Sequence, residues 1–303
     1  MTATYQGIIP PMITPLLERD TLDEAGLERV IERMIAGGVA GIFPLGTTGE
    51  APSLSYRLRR ELIEKTSRIV KGRVPILVGI TDTSLVESAR LAREAADFGV
   101  DAVVTSAPFY FPAGQPELRE YLEQLLPELP IPLMLYNMPA LTKTVFQQGI
   151  IEWAIDQEQI IGLKDSSGDL VYFKKMRRLA ASPRPDWSFL VGPEELLGEA
   201  ILMGGHGGVN GGANLFPRLY VDLYEAAKSG NLEQVRIFSE RIFALSSELY
   251  SVGKYGSAII KGIKCALSLL GVCDDFMAAP FHRFHESERE RIAEILERHA
   301  VPS

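Results

Sequence analysis

Residues 160–164 read Ile-Ile-Gly-Leu-Lys, a short apolar run that ends in a lysine. It is one of eight runs of about 4–8 residues that are bounded by glycine or proline, a length typical of buried parallel strands. Segments with helical periodicity separate the runs. The eight runs are 7–14, 41–44, 75–79, 101–106, 132–136, 160–164, 187–191 and 207–210.

The segment 23–37 shows the helical periodicity most clearly. Its apolar residues Leu27, Val30, Ile31 and Met34 are spaced so that they share one face of an α-helix. Asp23 precedes them as an N-cap, and a glycine pair ends the segment. We therefore expect a helix here that packs one face against the core.

Eight strand–helix units follow one another without a linker, which predicts an α/β fold, a closed (β/α)₈ TIM barrel over residues 1–215. A doubly wound open sheet is the alternative. Beyond residue 214 only helical segments follow, at 219–229, 232–250, 257–270 and 286–300. Residues 216–303 are therefore predicted to form an all-helical extension that packs on the barrel.

The composition excludes several classes of partner. A net charge of −8 and a pI near 5.2 argue against nucleic-acid binding, and no apolar stretch is long enough to span a bilayer. Cys265, Cys273 and the four histidines show no metal-ligand spacing. No basic, apolar leader opens the sequence. We expect a reduced, cytoplasmic protein with no metal and no membrane partner.

Lys164 is the residue most indicative of chemistry, because barrel active sites lie at the carboxyl ends of the strands. A lysine there loses hydration, which lowers the pKa of its amine and allows the neutral form to attack a ketone and form an imine. The alternative is a lysine that extends to solvent beside Asp165.

Tyr136 ends the preceding run, so its hydroxyl could move a proton near Lys164. The alternative is a rim tyrosine bound to backbone. The stretch 46–49 reads Gly-Thr-Thr-Gly, a turn whose N–H groups and the hydroxyls of Thr47 and Thr48 suit a carboxylate. It could equally be an ordinary strand-to-helix turn. Glu194 and Glu195 follow the seventh run, where they could stabilise a helix N-terminus or bind substrate hydroxyls.

Four motifs in this order resemble the dihydrodipicolinate synthase / N-acetylneuraminate lyase family of class I pyruvate aldolases. Residues 7–15 look like its opening strand, and Gly46-Thr47-Thr48-Gly49-Glu50 looks like its carboxylate-binding turn. Tyr136-Asn137-Met138-Pro139 and the stretch 162–169 match its tyrosine and Schiff-base lysine motifs.

The resemblance implies a Schiff-base enzyme without a cofactor, acting on pyruvate and an aldehyde, and assembled as a homotetramer. Lys164 would form the imine, Tyr136 would relay protons, and Thr47 and Thr48 would hold the carboxylate. Tyr110 resembles the tyrosine that reaches into the neighbouring subunit's site. Gly192, Val209 and Asn210, at or just after the ends of the last two runs, are also expected to contact the substrate.

Leu141 departs from the pattern, since the synthases carry an arginine there to grip the aldehyde's carboxylate. Gly192, Glu194 and Glu195 stand where sialic-acid lyases place acidic residues against sugar hydroxyls. The sequence therefore favours a lyase for a hydroxylated 2-oxo acid, such as a 2-keto-3-deoxy sugar acid or a sialic-acid-like substrate. Dihydrodipicolinate synthase, a dehydratase and a non-catalytic sugar-acid-binding protein are the alternatives.

Overall fold

The computed structural model of the chain describes residues 5–299. Seven strands form one parallel sheet, in the spatial order first, ninth, eighth, seventh, sixth, fifth and fourth, and the second and third form a small antiparallel hairpin. The strands of these residues are β1 (Gly7–Ile8), β2 (Leu16–Glu18), β3 (Thr21–Leu22), β4 (Leu77–Gly79), β5 (Ala102–Ser106), β6 (Leu133–Asn137), β7 (Ile160–Asp165), β8 (Ser188–Val191) and β9 (Gly207–Gly208).

Residues 41–43 close the sheet into a barrel between β1 and β4. Ile42 forms a parallel bridge with Ile76, and Phe43 forms one with Pro11. Only single bridges form here because prolines at positions 10, 11, 44 and 75 have no N–H to donate to a ladder. The eight predicted runs thus occupy the eight positions of a TIM-like barrel, and the predicted fold class is confirmed.

Helices cover the outside of the barrel. In α1, Leu27, Val30, Ile31 and Met34 are all buried, and the Asp23 carboxylate accepts a hydrogen bond from the first turn. The helices of the described residues are α1 (Glu24–Ala36), α2 (Tyr56–Val70), α3 (Leu85–Asp97), α4 (Gln115–Leu125), α5 (Pro139–Thr142), α6 (Gln148–Ile155), α7 (Leu170–Ala180), α8 (Leu197–Leu202), α9 (Pro217–Lys228), α10 (Leu232–Leu249), α11 (Ala258–Leu269) and α12 (Glu286–Arg298).

Side chains form two apolar layers, one inside the barrel and one between barrel and helices. Successive strand residues alternate between the two layers: Val103 lies in the outer layer and Val104 in the inner one. The inner layer ends near Tyr136, at the carboxyl end of β6.

The last three helices, α10 to α12, contact one another and lie within the predicted C-terminal extension, residues 216–303. Here α11 contacts the short turn Gly211–Asn214 after β9, and α10 contacts the turn Glu194–Leu196 after β8. The extension therefore lies against the carboxyl ends of these two strands. Helix α9 falls within the predicted extension, yet it contacts β1 of the barrel. The division of the chain at residue 215 therefore stays a prediction. No helix within residues 5–299 has the length and apolar character needed to cross a membrane.

Candidate active site

Tyr136 and Lys164 are aligned partners on the neighbouring strands β6 and β7. Tyr136 is also aligned with Ser106 of β5, and Lys164 with Leu190 of β8. Since these strands are parallel, all four residues lie at the same end of the barrel, the end at which barrel enzymes bind their substrates.

A bulge in β7 decides which way Lys164 points. Two consecutive residues of β6 are aligned with Ile160 and Gly162, so that Ile161 is an extra residue. Ile161 faces the barrel interior, and regular alternation would turn Lys164, three positions later, toward the outer helices. With the bulge, Leu163 packs outside and the Lys164 side chain lies inside.

The Lys164 amine is buried against aromatic rings. The residue is 3% exposed, and its Nζ lies 3.8 Å from the ring centroid of Tyr136 and 4.9 Å from that of Phe43. Within residues 5–299 no carboxylate forms an ion pair with it. Burial lowers the pKa of this amine below its usual 10.5, and the facing Tyr136 hydroxyl offsets only part of that effect.

The pKa of the Tyr136 hydroxyl is lowered, which is the direction that suits a proton relay. Burial by itself raises the pKa of its hydroxyl, but the Lys164 charge and hydrogen bonds from Thr47 and Ser166 outweigh burial and leave the pKa below 10.0. The Tyr136 hydroxyl lies 3.2 Å from the Thr47 Oγ1. Amine, phenol and threonine hydroxyl thus form one connected polar group inside an apolar barrel.

The turn 46–49 projects the two threonines into the same space. Leu45 and Glu50, on either side of it, have φ values of 60° and 57°, a left-handed conformation that is uncommon outside glycine. Within the part of the chain that the structure describes, the N–H groups of Thr47 and Thr48 have no acceptor. Two N–H donors without acceptors, beside two hydroxyls, are groups of the kind from which an anion accepts hydrogen bonds.

These groups line a cavity of about 320 Å³ at the mouth of the barrel. Its volume lies at the small end of the range for small-molecule sites, about 300–1,000 Å³. The residues that line it are Pro11, Thr47, Thr48, Tyr136, Met138, Lys164, Ser166, Gly192, Pro193, Glu194, Glu195, Val209, Gly211, Tyr250, Gly256, Ile259 and Ile260.

Glu194 lies in the cavity wall and is held by protein groups. Its Oε1 accepts hydrogen bonds from the hydroxyls of Tyr220 (2.7 Å) and Tyr250 (3.0 Å), and its Oε2 accepts one from the Gly212 N–H (2.8 Å). Burial raises the pKa of the carboxyl to about 7, although these donors oppose the shift. Both oxygens of Glu194 already have partners in the protein.

Glu195 is more accessible. Its side chain is half-buried and lines the cavity, and within residues 5–299 no group forms a hydrogen bond or ion pair with its carboxylate. Of the two glutamates, Glu195 is therefore the one whose oxygens are available to a hydroxylated ligand.

Comparison with known proteins decides the family. The chain matches the Dihydrodipicolinate synthetase family over residues 4–299. It belongs to this family. The resemblance inferred from the four motifs is confirmed, and the chain is an enzyme of the class I aldolase and lyase type.

Individual members of the dihydrodipicolinate synthetase family differ in activity. A structure of dihydrodipicolinate synthase from Bacteroides thetaiotaomicron is 54% identical, with a TM-score of 0.95 over 98% of this chain and 100% of that chain. YagE of Escherichia coli K12, solved with pyruvate, is 27% identical, with a TM-score of 0.92 over 99% of this chain and 100% of that chain. A probable 2-dehydro-3-deoxy-D-pentonate aldolase, YjhH of E. coli K12, is 32% identical over 83% of this chain and 86% of its own length.

Three of the residues that the sequence predicts at the active site do not line the cavity. Leu141 is 55% exposed and lines a neighbouring hollow of about 240 Å³, which shares Thr47, Tyr136 and Met138 with the cavity. Tyr110 is 83% exposed, with a φ of 80°, and packs edge-on against Phe111. Within one chain, then, Leu141 contacts the cavity only indirectly and Tyr110 not at all.

Asn210 does not line the cavity either. It is fully buried, and its Nδ2 donates to the carbonyl oxygens of Val191 and Gly192. The side chain therefore fastens the end of β8 to the segment after β9. The Nδ2 of Asn210 joins two strand ends, and its Oδ1 has no hydrogen-bond partner within residues 5–299, so the expectation that Asn210 contacts substrate stays a prediction.

Residues of the extension complete the cavity, and the motifs did not indicate them. Tyr250 follows α10, and Ile259 and Ile260 lie in the first turn of α11. Ser166, whose hydroxyl bonds Tyr136, was also missed. Its position two residues after Lys164 could have indicated it, whereas no local pattern connects Tyr250 or α11 to the barrel mouth.

Proposed function

We propose that this enzyme makes or breaks a carbon–carbon bond through an imine between Lys164 and pyruvate. One observation carries the proposal: the Lys164 amine is buried at the barrel mouth against Tyr136, with no carboxylate partner among residues 5–299. Because its pKa is lowered, a larger fraction of the amine is neutral and nucleophilic near neutral pH. Pyruvate is favoured because the related YagE was solved with it.

In the proposed reaction the Lys164 Nζ attacks the ketone carbon of pyruvate, and the carbonyl oxygen leaves as water after protonation. The imine loses a proton from the methyl carbon to give an enamine, which attacks an aldehyde and forms the new bond. One water then hydrolyses the imine and returns the amine. Cleavage follows the same steps in reverse, and the Tyr136 hydroxyl transfers the protons.

The pyruvate carboxylate is proposed to bind at Thr47 and Thr48. Their N–H groups have no acceptor within residues 5–299, and both residues line the cavity with Lys164. A carboxylate accepts such hydrogen bonds strongly. Bound there, it would place the adjacent ketone carbon toward the amine.

For the second substrate the comparisons favour the alternative from the sequence analysis, dihydrodipicolinate synthase, over the expected sugar-acid lyase. The 54% identical structure from B. thetaiotaomicron is of such a synthase, and this exceeds the 32% identity to the E. coli pentonate aldolase. Aspartate semialdehyde is therefore the first aldehyde to test.

A hydroxylated aldehyde is the second candidate, and two features of the cavity support it. Among the described residues that line the cavity or the neighbouring hollow, Lys164 is the only cation. None of these lining residues therefore offers a guanidinium to bind a carboxylate on the aldehyde. Glu195 presents a carboxylate that has no partner in the described part of the chain, which suits a hydroxyl donor.

Assembly as a homotetramer is part of the proposal. Tyr110 and Phe111 are 83% and 80% exposed and form one aromatic surface near the barrel mouth. Exposed aromatic pairs of this kind are typical of protein interfaces. In an assembly Tyr110 would reach the site of a neighbouring subunit.

Borohydride trapping tests the imine. The protein is incubated with pyruvate, reduced and digested, and the adduct is located by mass spectrometry. We expect a pyruvate-derived mass on the Lys164 peptide, absent in Lys164→Ala and retained in Lys174→Ala, which changes an exposed lysine on α7. No adduct in the wild-type protein would contradict the proposal and favour a sugar-acid-binding protein.

The aldehyde is then identified by turnover. The enzyme is given pyruvate with aspartate semialdehyde, and separately with glycolaldehyde or glyceraldehyde. Rapid consumption of the semialdehyde alone would support the synthase. Consumption of the hydroxylated aldehydes alone, reduced in Glu195→Ala, would support the sugar-acid lyase.

A further inference from the structure

A buried ion pair joins the C-terminal extension to the turn that carries Thr47 and Thr48. Lys264 of α11 is 0% exposed, and its Nζ lies 2.5 Å from Oε1 of Glu50 and 2.6 Å from the Phe276 carbonyl oxygen. The other Glu50 oxygen, Oε2, accepts a hydrogen bond of 2.8 Å from the Ala278 N–H. Both oxygens of the Glu50 carboxylate are thus held by the extension.

Stability alone is a poor explanation for this pair. Burying two charges costs more desolvation free energy than most ion pairs recover, and apolar residues of similar volume are often as stable or more so. A pair that is 0% and 4% exposed therefore points to a requirement for a particular geometry.

Glu50 needs to be held because its backbone is strained. Its φ of 57° is left-handed, a conformation that persists at a non-glycine residue when the surroundings fix it. The turn is held from the barrel side as well, since the Thr14 hydroxyl donates to the Gly49 carbonyl oxygen at 2.7 Å. The Glu50 carboxylate supplies the constraint from the other side.

The backbone of Glu50 also orients the proposed anion site. Its N–H donates to the Thr47 carbonyl oxygen at 3.0 Å. That carbonyl belongs to the same planar peptide unit as the Thr48 N–H, which must therefore point the opposite way. A shift of Glu50 would turn this peptide unit and with it the N–H of Thr48, a residue that lines the cavity.

The same helix covers the cavity. Ile259 and Ile260 line it from the first turn of α11, and Lys264 lies one helical turn further along. Movement of α11 would thus change the cavity wall and the Glu50 contact together.

We propose that Glu50 and Lys264 are positioning residues, through which α11 holds the turn 46–50 in the conformation that binds the substrate carboxylate. This inference rests on the proposed function, in which pyruvate binds covalently at Lys164. It adds that the extension, although it supplies no reacting group, sets the affinity for the carboxylate.

The test uses trapping at Lys164 with two ketones, pyruvate and methyl pyruvate, whose carboxylate is esterified. The variants are Glu50→Gln, Lys264→Met and the double variant, in which no unpaired charge remains buried. We expect the half-saturating concentration of pyruvate to rise roughly tenfold or more, because an oriented hydrogen bond to a carboxylate is lost. The maximal trapping rate and the half-saturating concentration of methyl pyruvate should change less than about twofold.

Arg184→Met is the matched control. Arg184 is partly buried and donates to the carbonyl oxygens of Ile155, Gln157 and Ile160 at the opposite end of the barrel. The variant should lower the melting temperature and leave both half-saturating concentrations unchanged. Equal changes for both ketones in the Glu50 and Lys264 variants, or no change for either, would show a purely structural role.

Hydrogen exchange in the wild-type protein provides a test that needs no variant. Pyruvate should slow amide exchange in residues 276–278 together with residues 46–50. Unchanged exchange at 276–278 would overturn the inference even if every variant failed to fold. Absence of any adduct in the wild-type protein would instead refute the proposed function.

Discussion

The Lys164 Nζ lies 3.8 Å from the ring centroid of Tyr136, on the strand next to it. The contact exists because the bulge at Ile161 turns Lys164 into the barrel, where Tyr136 already points. The charged form of each group favours the charged form of the other, while burial disfavours the ammonium, so their protonation states are coupled. The proposed chemistry therefore depends on the register between β6 and β7.

Tyr136→Phe should slow imine formation while leaving the fold intact. The variant loses the hydroxyl that bonds Thr47 and faces the Lys164 amine. Removing a general acid–base group costs about 10²–10⁴-fold in rate. The measurement is the rate of borohydride trapping at saturating pyruvate.

Tyr121→Phe is the control for Tyr136→Phe. It also removes a tyrosine hydroxyl that lies near a threonine, Thr105 at 3.4 Å, but outside the cavity. Its trapping rate should equal that of the wild type. If both variants trapped pyruvate at the wild-type rate, Tyr136 would have no part in proton transfer.

The pH dependence of trapping should reflect the lowered pKa of Lys164. Burial disfavours the ammonium form, so the nucleophilic amine is present above a pKa that lies below 10.5 and is lost as the pH falls through it. With cyanoborohydride, the initial rate should reach half its maximum below pH 10.5. The exposed Lys174 serves as the reference, and its reaction with trace formaldehyde is followed over the same pH range. A trapping midpoint at Lys164 equal to the labelling midpoint at Lys174 would contradict a desolvated amine.

Gly162→Ala should displace Lys164 and destabilise the barrel. A Cβ at this position would lie 2.2 Å from the Ser188 carbonyl oxygen of the neighbouring strand. Relief requires β7 to move or the bulge to disappear, at a cost of about 1–3 kcal/mol or more. We expect a lower melting temperature and little adduct at Lys164.

Gly149→Ala is the control for Gly162→Ala. It lies in α6, and a Cβ there would have no atom of another described residue within 4 Å, apart from its chain neighbours and its own helix backbone. Alanine should stabilise that helix by up to about 1 kcal/mol. A Gly162→Ala protein that trapped pyruvate as well as this control would show that the bulge does not orient Lys164.

Glu194→Gln should change how stability depends on pH. The pKa of the Glu194 carboxyl rises from 4.5 to about 7 on folding, so the folded protein holds a proton that the unfolded chain releases between these values. This contribution to stability is complete below pH 4.5 and is lost as the pH rises through 7. Glutamine cannot ionise and keeps an acceptor for Tyr220.

From pH 5 to pH 8, the free energy of unfolding of Glu194→Gln should therefore increase relative to that of the wild type. The gain is at most about 3 kcal/mol, since one pKa unit corresponds to about 1.4 kcal/mol. Urea unfolding at the two pH values measures it. An equal difference at both would mean that the Glu194 carboxyl is already ionised at pH 5.

Subunit mixing tests whether Tyr110 acts in a neighbouring subunit. Lys164→Ala and Tyr110→Phe are each expected to be nearly inactive in turnover with the identified aldehyde. Hybrids formed by dissociation and reassembly would contain sites with both native side chains, and should recover activity. No recovery, or a monomer by native mass spectrometry, would exclude a role for Tyr110 across an interface.

Much of the architecture was evident in the local pattern of residues. The eight apolar runs predict the eight barrel positions, and periodicity predicts helices such as α1, because burial on one face recurs at the spacing of the secondary structure. The positions of Lys164 and Tyr136 at the carboxyl ends of neighbouring strands predict that both face one mouth. Such inferences hold because they need only local spacing and strand order.

Tertiary structure decided what local spacing cannot report. The inward direction of Lys164 depends on the bulge at Ile161, which exists only relative to β6. Asn210 does not line the cavity, because its amide lies against the carbonyl oxygens at the end of β8, to which its Nδ2 donates. Lys264 meets Glu50 across 214 residues of chain, and Tyr250 reaches the cavity from the extension. Contacts over such separations are set by packing between elements, on which no sequence window carries information.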